Sequence, residues 1–140
     1  MMNREMAEII RNQQPVILSP DTTVCEACRQ MNDQRIGAIV IVSDSGSLLG
    51  IFTGRDAVRQ LAEGADPHVA RLKDAMTPNP ETMTPHSTAI EALRLMRDGG
   101  FRHLPIVDNG VVMGIVSRGD FRGLERDRLD EETGLWERIA

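Results

Sequence analysis

The chain has 140 residues, enough for one globular domain, and its 41% hydrophobic and 26% charged residues are ordinary for a water-soluble fold. A net charge of −5 and a pI near 5.2 argue against general nucleic-acid binding, which needs a basic surface, but leave room for a few arginines to hold one anion. The longest apolar runs, Ala38–Val42 and Leu48–Phe52, are far shorter than a membrane span, and residues 1–14 carry Glu5 and Glu8 without an apolar signal core, so a cytoplasmic protein off the membrane is expected.

In chain order, Val16–Pro20 is a short extended piece ending in proline. Thr23 and Glu26 then have capping-box spacing, and Val24, Ala27/Cys28 and Met31 recur at helical period. Two strands follow, Ala38–Val42 and Leu48–Phe52, joined by the turn Ser43–Ser47; the first is apolar throughout, as in a strand covered on both faces. A helix enters through Ala57–Leu61. Residues 62–76, with Val69, Leu72 and Met76 as apolar positions, are expected to form a linking helix.

The series then returns. Glu81–Pro85 is extended, Thr88 and Glu91 repeat the capping box, and Ala89, Ala92/Leu93 and Met96 repeat the apolar face. Strands Leu104–Val107 and Val111–Val116 flank Asp108-Asn109-Gly110, a strong hairpin signal. A helix is expected from Phe121–Leu124. The tail, with Leu129, Leu135, Trp136 and Ile139 among alternating charges, is expected to be a solvated helix that docks on a second copy.

The two series are a duplication. At an offset of 65, residues 20–42 match 85–107 at nine of 23 positions, and at an offset of 64, residues 46–56 match 110–120 at four of 11. Chance gives about one match in fifteen to twenty. Each unit reads β-α-β-β-α, an α/β (α+β) pattern. A 60-residue unit buries too little surface alone, so the halves are expected to share one core. The expected boundaries are 1–62, a linking helix 63–76, 77–125 and a charged tail 126–140.

Each second strand ends in a repeated motif, Gly50-Ile51-Phe52-Thr53-Gly54-Arg55-Asp56 and Gly114-Ile115-Val116-Ser117-Arg118-Gly119-Asp120. A hydroxyl followed three residues on by a carboxylate at a strand-to-helix junction is sufficiently explained as a helix cap. The same geometry also suits a ligand, because a helix N-terminus attracts phosphate and a carboxylate there can accept both hydroxyls of a ribose.

The tandem β-α-β-β-α arrangement, the motif at the end of each second strand and the run Phe101-Arg102-His103-Leu104-Pro105-Ile106-Val107-Asp108 resemble the CBS domain pair, a module first recognised in cystathionine β-synthase. The resemblance spans residues 6–125, and a stand-alone protein of this family, without a catalytic domain, is expected. It implies two repeats packed as a pseudo-twofold pair, often as a flat homodimer. It also implies clefts between the repeats that hold adenosine-containing ligands such as AMP, ADP, ATP or NAD. The function implied is regulatory: ligand binding changes the conformation and signals to an effector protein. The alternative is a ligand-free dimerisation or adaptor module whose motifs only cap helices.

By the same resemblance, a first cleft would use Thr53, Arg55 and Asp56 with Met76, Thr77, Asn79, Glu81, Phe101, Arg102 and His103. Asp56 would hold the ribose, Thr53 and Arg55 the sugar–phosphate end, Phe101 the adenine, and Arg102 and His103 the phosphate. A second cleft would use Ser117, Arg118 and Asp120 with Gln14, Val16, Ile36, Gly37 and Ala38. Because Gly37 and Ala38 stand where the other repeat has Arg102 and His103, the first cleft is expected to be the better phosphate site.

Cys25-Glu26-Ala27-Cys28 spells C-x-x-C, a pattern of redox and zinc sites. Its repeat counterparts are Ile90 and Leu93, so two buried, inert core thiols are expected, and no third ligand is spaced for a metal. No nucleophile elbow, zinc-protease helix or phosphate-binding Walker loop occurs. Asp56 and Asp120 fall in separate repeats, so an enzyme is not expected.

Overall fold

The computed structural model describes residues 4–121. In chain order these form α1 (Met6–Ile9), β1 (Ile17–Leu18), α2 (Val24–Gln34), β2 (Ala38–Val42), β3 (Leu48–Thr53), α3 (Gly54–Ala62), α4 (Leu72–Ala75), β4 (Thr77–Pro78), α5 (Ala89–Gly99), β5 (His103–Asp108) and β6 (Val111–Ser117), then a 3-10 turn over Arg118–Asp120. Residues 14–81 with 108–112 make one compact unit; residues 4–13, 82–107 and 113–121 make the other.

The first unit carries a four-stranded sheet in the order β1-β2-β3-β4, with β1 parallel to β2 and the other pairs antiparallel. Its core is built from Val24, Ala27 and Met31 of α2, Ile39 and Ile41 of β2, Phe52 of β3, and Leu72 and Ala75 of α4. Fully burying a side chain such as Phe52 or Leu72 contributes about 1.5–3 kcal/mol. Gly50 has to be glycine because a Cβ there would lie 2.5 Å from Met76 Sδ and 2.8 Å from the Thr77 carbonyl oxygen.

The second unit contains the paired bodies of β5 and β6, and the turn that joins these strands, Asn109-Gly110, has φ values of 49° and 80°, those of a two-residue hairpin. Its core joins Met6 and Ile10 to Ala89, Ile90, Ala92, Leu93 and Met96 of α5, with Leu104, Ile106, Val116 and Phe121.

The duplication therefore extends beyond the repeated sequence. In one unit Leu72 N–H donates to Thr22 O and Lys73 N–H to Pro20 O; in the other Met6 N–H donates to Ser87 O and Ala7 N–H to Pro85 O. The single turns α4 and α1 are thus structural counterparts, each seating one fully buried residue, Leu72 or Met6, against its unit. Each sixty-residue repeat gains the apolar contact it lacks from a segment outside it. This is why there are two core clusters, one per unit, where one shared core was expected.

Four other expectations are corrected. Residues 62–76 are not one helix: α3 ends at Ala62, Gly64 is left-handed at φ 75°, and helix resumes only as α4. Pro67 in that stretch lacks an N–H, and Val69 is 68% exposed rather than on a buried face. Residues Glu81–Pro85 form no strand beyond one parallel bridge, Met83 to Ile106, the counterpart of Leu18 on Ile41. Thr23 and Thr88 cap α2 and α5 through Glu26 N–H and Glu91 N–H, but Glu26 does not reach back to its cap: its carboxylate accepts from Arg29 and Gln30 instead. Cys25 and Cys28 are half-exposed, because α2 turns a narrower face inward than α5. The helix expected from Phe121 and the tail lie outside the described residues beyond Phe121 itself.

Candidate functional site

β3 ends at Thr53 and α3 begins at once, so the first motif forms a complete capping box. Asp56 N–H donates to Thr53 Oγ1 at 3.3 Å, while Asp56 Oδ2 accepts from Thr53 N–H at 2.9 Å and from the Thr53 hydroxyl at 3.2 Å. The other carboxylate oxygen is also engaged. Oδ1 accepts from Arg59 Nη2 at 2.7 Å and from the Thr77 hydroxyl at 3.0 Å. Arg59 Nη2 reaches the Ala75 carbonyl as well, at 3.2 Å. A carboxylate offers about four acceptor positions, and Asp56, only 2% exposed, has filled them from its own unit. A ribose diol could bind it only by displacing Thr77 and Arg59.

The second motif keeps the aspartate's half of the cap and, among the described residues, shows none of the closure. Asp120 Oδ2 accepts from Ser117 N–H at 2.7 Å and from its hydroxyl at 3.3 Å, and Asp120 is exposed. Among the described residues nothing donates to its Oδ1. The position matching Arg59 is Gly123 in the sequence. By the correspondence of α1 with α4, Arg11 stands where Thr77 stands in the other unit.

The segments next to this carboxylate carry several basic residues. Arg118 N–H donates to Arg102 O at 2.9 Å, so the start of β5 and the end of β6 are held side by side. Arg4 Nη2 donates to the Asp120 carbonyl at 3.1 Å. His103 is held below its ordinary value of 6.5, first by burial and then by Arg102, while Asp120 pulls the other way. An open cavity of about 400 Å³ in the same unit is lined by Arg4, Glu8, Ile9, Arg11, Asn12 and Gln13.

The other residues expected at the sites divide between the units. Thr53, Arg55, Asp56, Met76, Thr77, Asn79 and Glu81 lie in the first unit, as do Gln14, Val16, Ile36, Gly37 and Ala38. Gly37 offers its carbonyl to Gly54 N–H at 3.2 Å, the counterpart of Arg102 with Arg118. Ala38 is buried, Val16 and Ile36 pack against the core, and Asn79 is left-handed at φ 47°. Phe101 is half-buried, resting on Gly99 and against the second core. Arg102, His103, Ser117, Arg118 and Asp120 share the second unit. Sequence reasoning missed Arg4, Arg11 and Arg59. For Arg59 a signal existed, because its replacement by Gly123 breaks the repeat beside the motif.

Two units, one β-α-β-β and the other α-β-β with a single bridge in place of the first strand, each closing on a hydroxyl-x-x-aspartate motif, define a tandem-repeat α/β module. A family model, that of the CBS domain, matches residues 6–63 and 72–126, and the chain belongs to this family. The CBS domain-containing protein CBSCBSPB2 of Arabidopsis thaliana is 41% identical over 108 residues, 76% of this chain and 20% of that protein. The chain thus spans about a fifth of the length of such curated relatives. The solved CBS-domain protein ATU1752 from Agrobacterium tumefaciens is 32% identical, with a TM-score of 0.78 over 89% of this chain and 98% of that one. A CBS domain protein from Pyrobaculum aerophilum complexed with AMP superposes with a TM-score of 0.82 at 22% identity, covering 91% of this chain and 98% of that one. Among the described residues no helix is long and apolar enough to cross a membrane, and no cluster of three or more metal-ligating side chains occurs.

Proposed function

We propose that the chain is a regulatory module that binds an adenosine-containing ligand at the Ser117–Asp120 motif. The observation that carries this reading is the exposed Asp120 carboxylate, one oxygen of it without a donor among the described residues, with Arg4 on the Asp120 carbonyl, His103 within its electrostatic reach, and Arg102 and Arg118 on the paired backbone beside it. Asp120 would accept ribose hydroxyls, and the cations with Arg11 would hold phosphate, as charge-assisted bonds do best. The ligand in the Pyrobaculum aerophilum protein is of this class; AMP, ADP, ATP and NAD are the candidates. Phe101 would lie against the adenine.

The first motif favours a second, structural reading for its own half of the chain, because Thr77 and Arg59 already saturate Asp56. Binding at Thr53, Arg55 and Asp56 would be the weaker event. Occupancy would be passed to an effector protein, in a homodimer whose subunits cover apolar surface such as Val58 and Leu61 of α3, 64% and 71% exposed. The chemistry is recognition, without catalysis.

A thermal-shift panel of AMP, ADP, ATP, NAD and inorganic phosphate tests this. A ligand at a hundred times its dissociation constant adds about 2.7 kcal/mol of stability. A shift with the adenine nucleotides and none with phosphate supports the module. No shift with any of them leaves an adaptor.

A further inference from the structure

We propose that Cys25 and Cys28 are a redox modification site, a dithiol that a hydroperoxide converts to a disulfide within α2. Three positions apart in a helix, the two Cα atoms lie about 5 Å from each other, inside the roughly 4.4–6.8 Å range that a disulfide spans. Their Cβ atoms start about 5–6 Å apart and must close by about 1–2 Å. The pair sits in the opening turns of α2. Cys25 N–H is bonded outward to Pro67 O at 2.9 Å rather than into the helix ladder.

Access and chemistry agree with the spacing. The counterparts Ile90 and Leu93 are 5% and 0% exposed, whereas both thiols are only partly buried, Cys28 at the edge of the first core. Cys28 lines an open groove of about 410 Å³ with Met31, Asn32, Arg35, Ile36 and Ala57. Arg29, whose Nη1 pairs with Glu26 Oε2 at 3.1 Å, also brings Nη2 to 3.8 Å from Cys25 Sγ, the sulfur that would attack. Burial, and then the nearby Cys25, push the Cys28 thiol above 9.0, which suits a partner that stays protonated until the second step.

The reaction balances with peroxide as sole oxidant. The Cys25 thiolate attacks one peroxide oxygen; an S–O bond forms, the O–O bond breaks, and the departing hydroxide takes up the proton lost by Cys25 to leave as water. Cys28 then attacks the Cys25 sulfur; the S–S bond forms, the S–O bond breaks, and hydroxide leaves with the Cys28 proton as a second water. Two thiols are oxidised and one hydrogen peroxide is reduced.

The test treats the reduced full-length chain with hydrogen peroxide and reads intact mass and a non-reducing peptide map. The expected product is a monomer lighter by two hydrogens, with Cys25 joined to Cys28 and the change reversed by dithiothreitol. In Cys28→Ser the expected product is a sulfenic acid on Cys25, captured by dimedone; in Cys25→Ser no cross-link within the chain forms. Far-ultraviolet circular dichroism of the reduced variants separates lost chemistry from lost folding. Unmodified thiols under peroxide, separate over-oxidation of the two cysteines, or a link only between chains would overturn the proposal.

Discussion

The Thr77 hydroxyl donates to Asp56 Oδ1 at 3.0 Å across 21 positions of sequence, tying the strand after α4 to the start of α3. Asp120, the duplicated aspartate, has no such partner among the described residues. Two copies of one motif have therefore diverged: one is a filled staple, and the other has an oxygen without a donor among the described residues.

Asp56→Ala should destabilise the fold, because it strips four donors of a buried acceptor. The expected loss is about 2–3 kcal/mol, the scale of hydrogen bonds to a charged group, moderated because Arg59 is partly exposed and can rehydrate. Thr77→Val should cost about 1 kcal/mol. Urea denaturation checks both; a stability change near zero for Asp56→Ala would remove the staple.

Gly114→Ala should also destabilise. An added Cβ would meet Ile10 Cβ and Gln13 Oε1, each at 2.8 Å, and Gln13 Oε1 is the acceptor for Ile115 N–H. Overpacking of this kind costs about 1–3 kcal/mol. Thermal unfolding reads it, and an unchanged midpoint would mean that α1 is not held against β6.

Acid should weaken the fold through His103. Its folded value lies below 6.5, so the unfolded chain takes up a proton first as the pH falls. The stability that His103 contributes is complete above pH 6.5 and declines below it towards the lowered folded value. Denaturant midpoints at pH 7.5 and 5.5 should therefore differ more for the wild type than for His103→Gln. Equal differences would contradict the half-buried imidazole beside Arg102. An anion bound at this site would favour the protonated ring, so binding in this range should take up protons.

Much of the fold was legible because its signals are local. Thr23 and Thr88 announce helix starts, Asn109-Gly110 announces a hairpin, and the apolar run Ala38–Val42 announces a strand covered on both faces. The one-turn elements were not, because four residues are too few for a period: Met6 and Leu72 share a structural role with no identity between their segments. Gly64 and Pro67 were the signals against a linking helix, and Val69 and Leu72 obscured them. At the candidate site the motif itself was plain, but its state was not. Whether the aspartate is filled depends in part on a side chain brought from afar, Thr77, 21 positions along the sequence from Asp56. Only the change from Arg59 to Gly123 was written beside the motif.

The most direct test is titration calorimetry of the full-length chain with AMP, comparing the wild type, Asp120→Ala and Asp56→Ala. Losing a charge-assisted contact of about 1.5–3 kcal/mol should weaken AMP binding roughly tenfold to a hundredfold in Asp120→Ala. Folded Asp56→Ala should stay within a fewfold of wild type. Unchanged affinity in folded Asp120→Ala, or no heat of binding in the wild type, would contradict the assignment of the open motif as the ligand site.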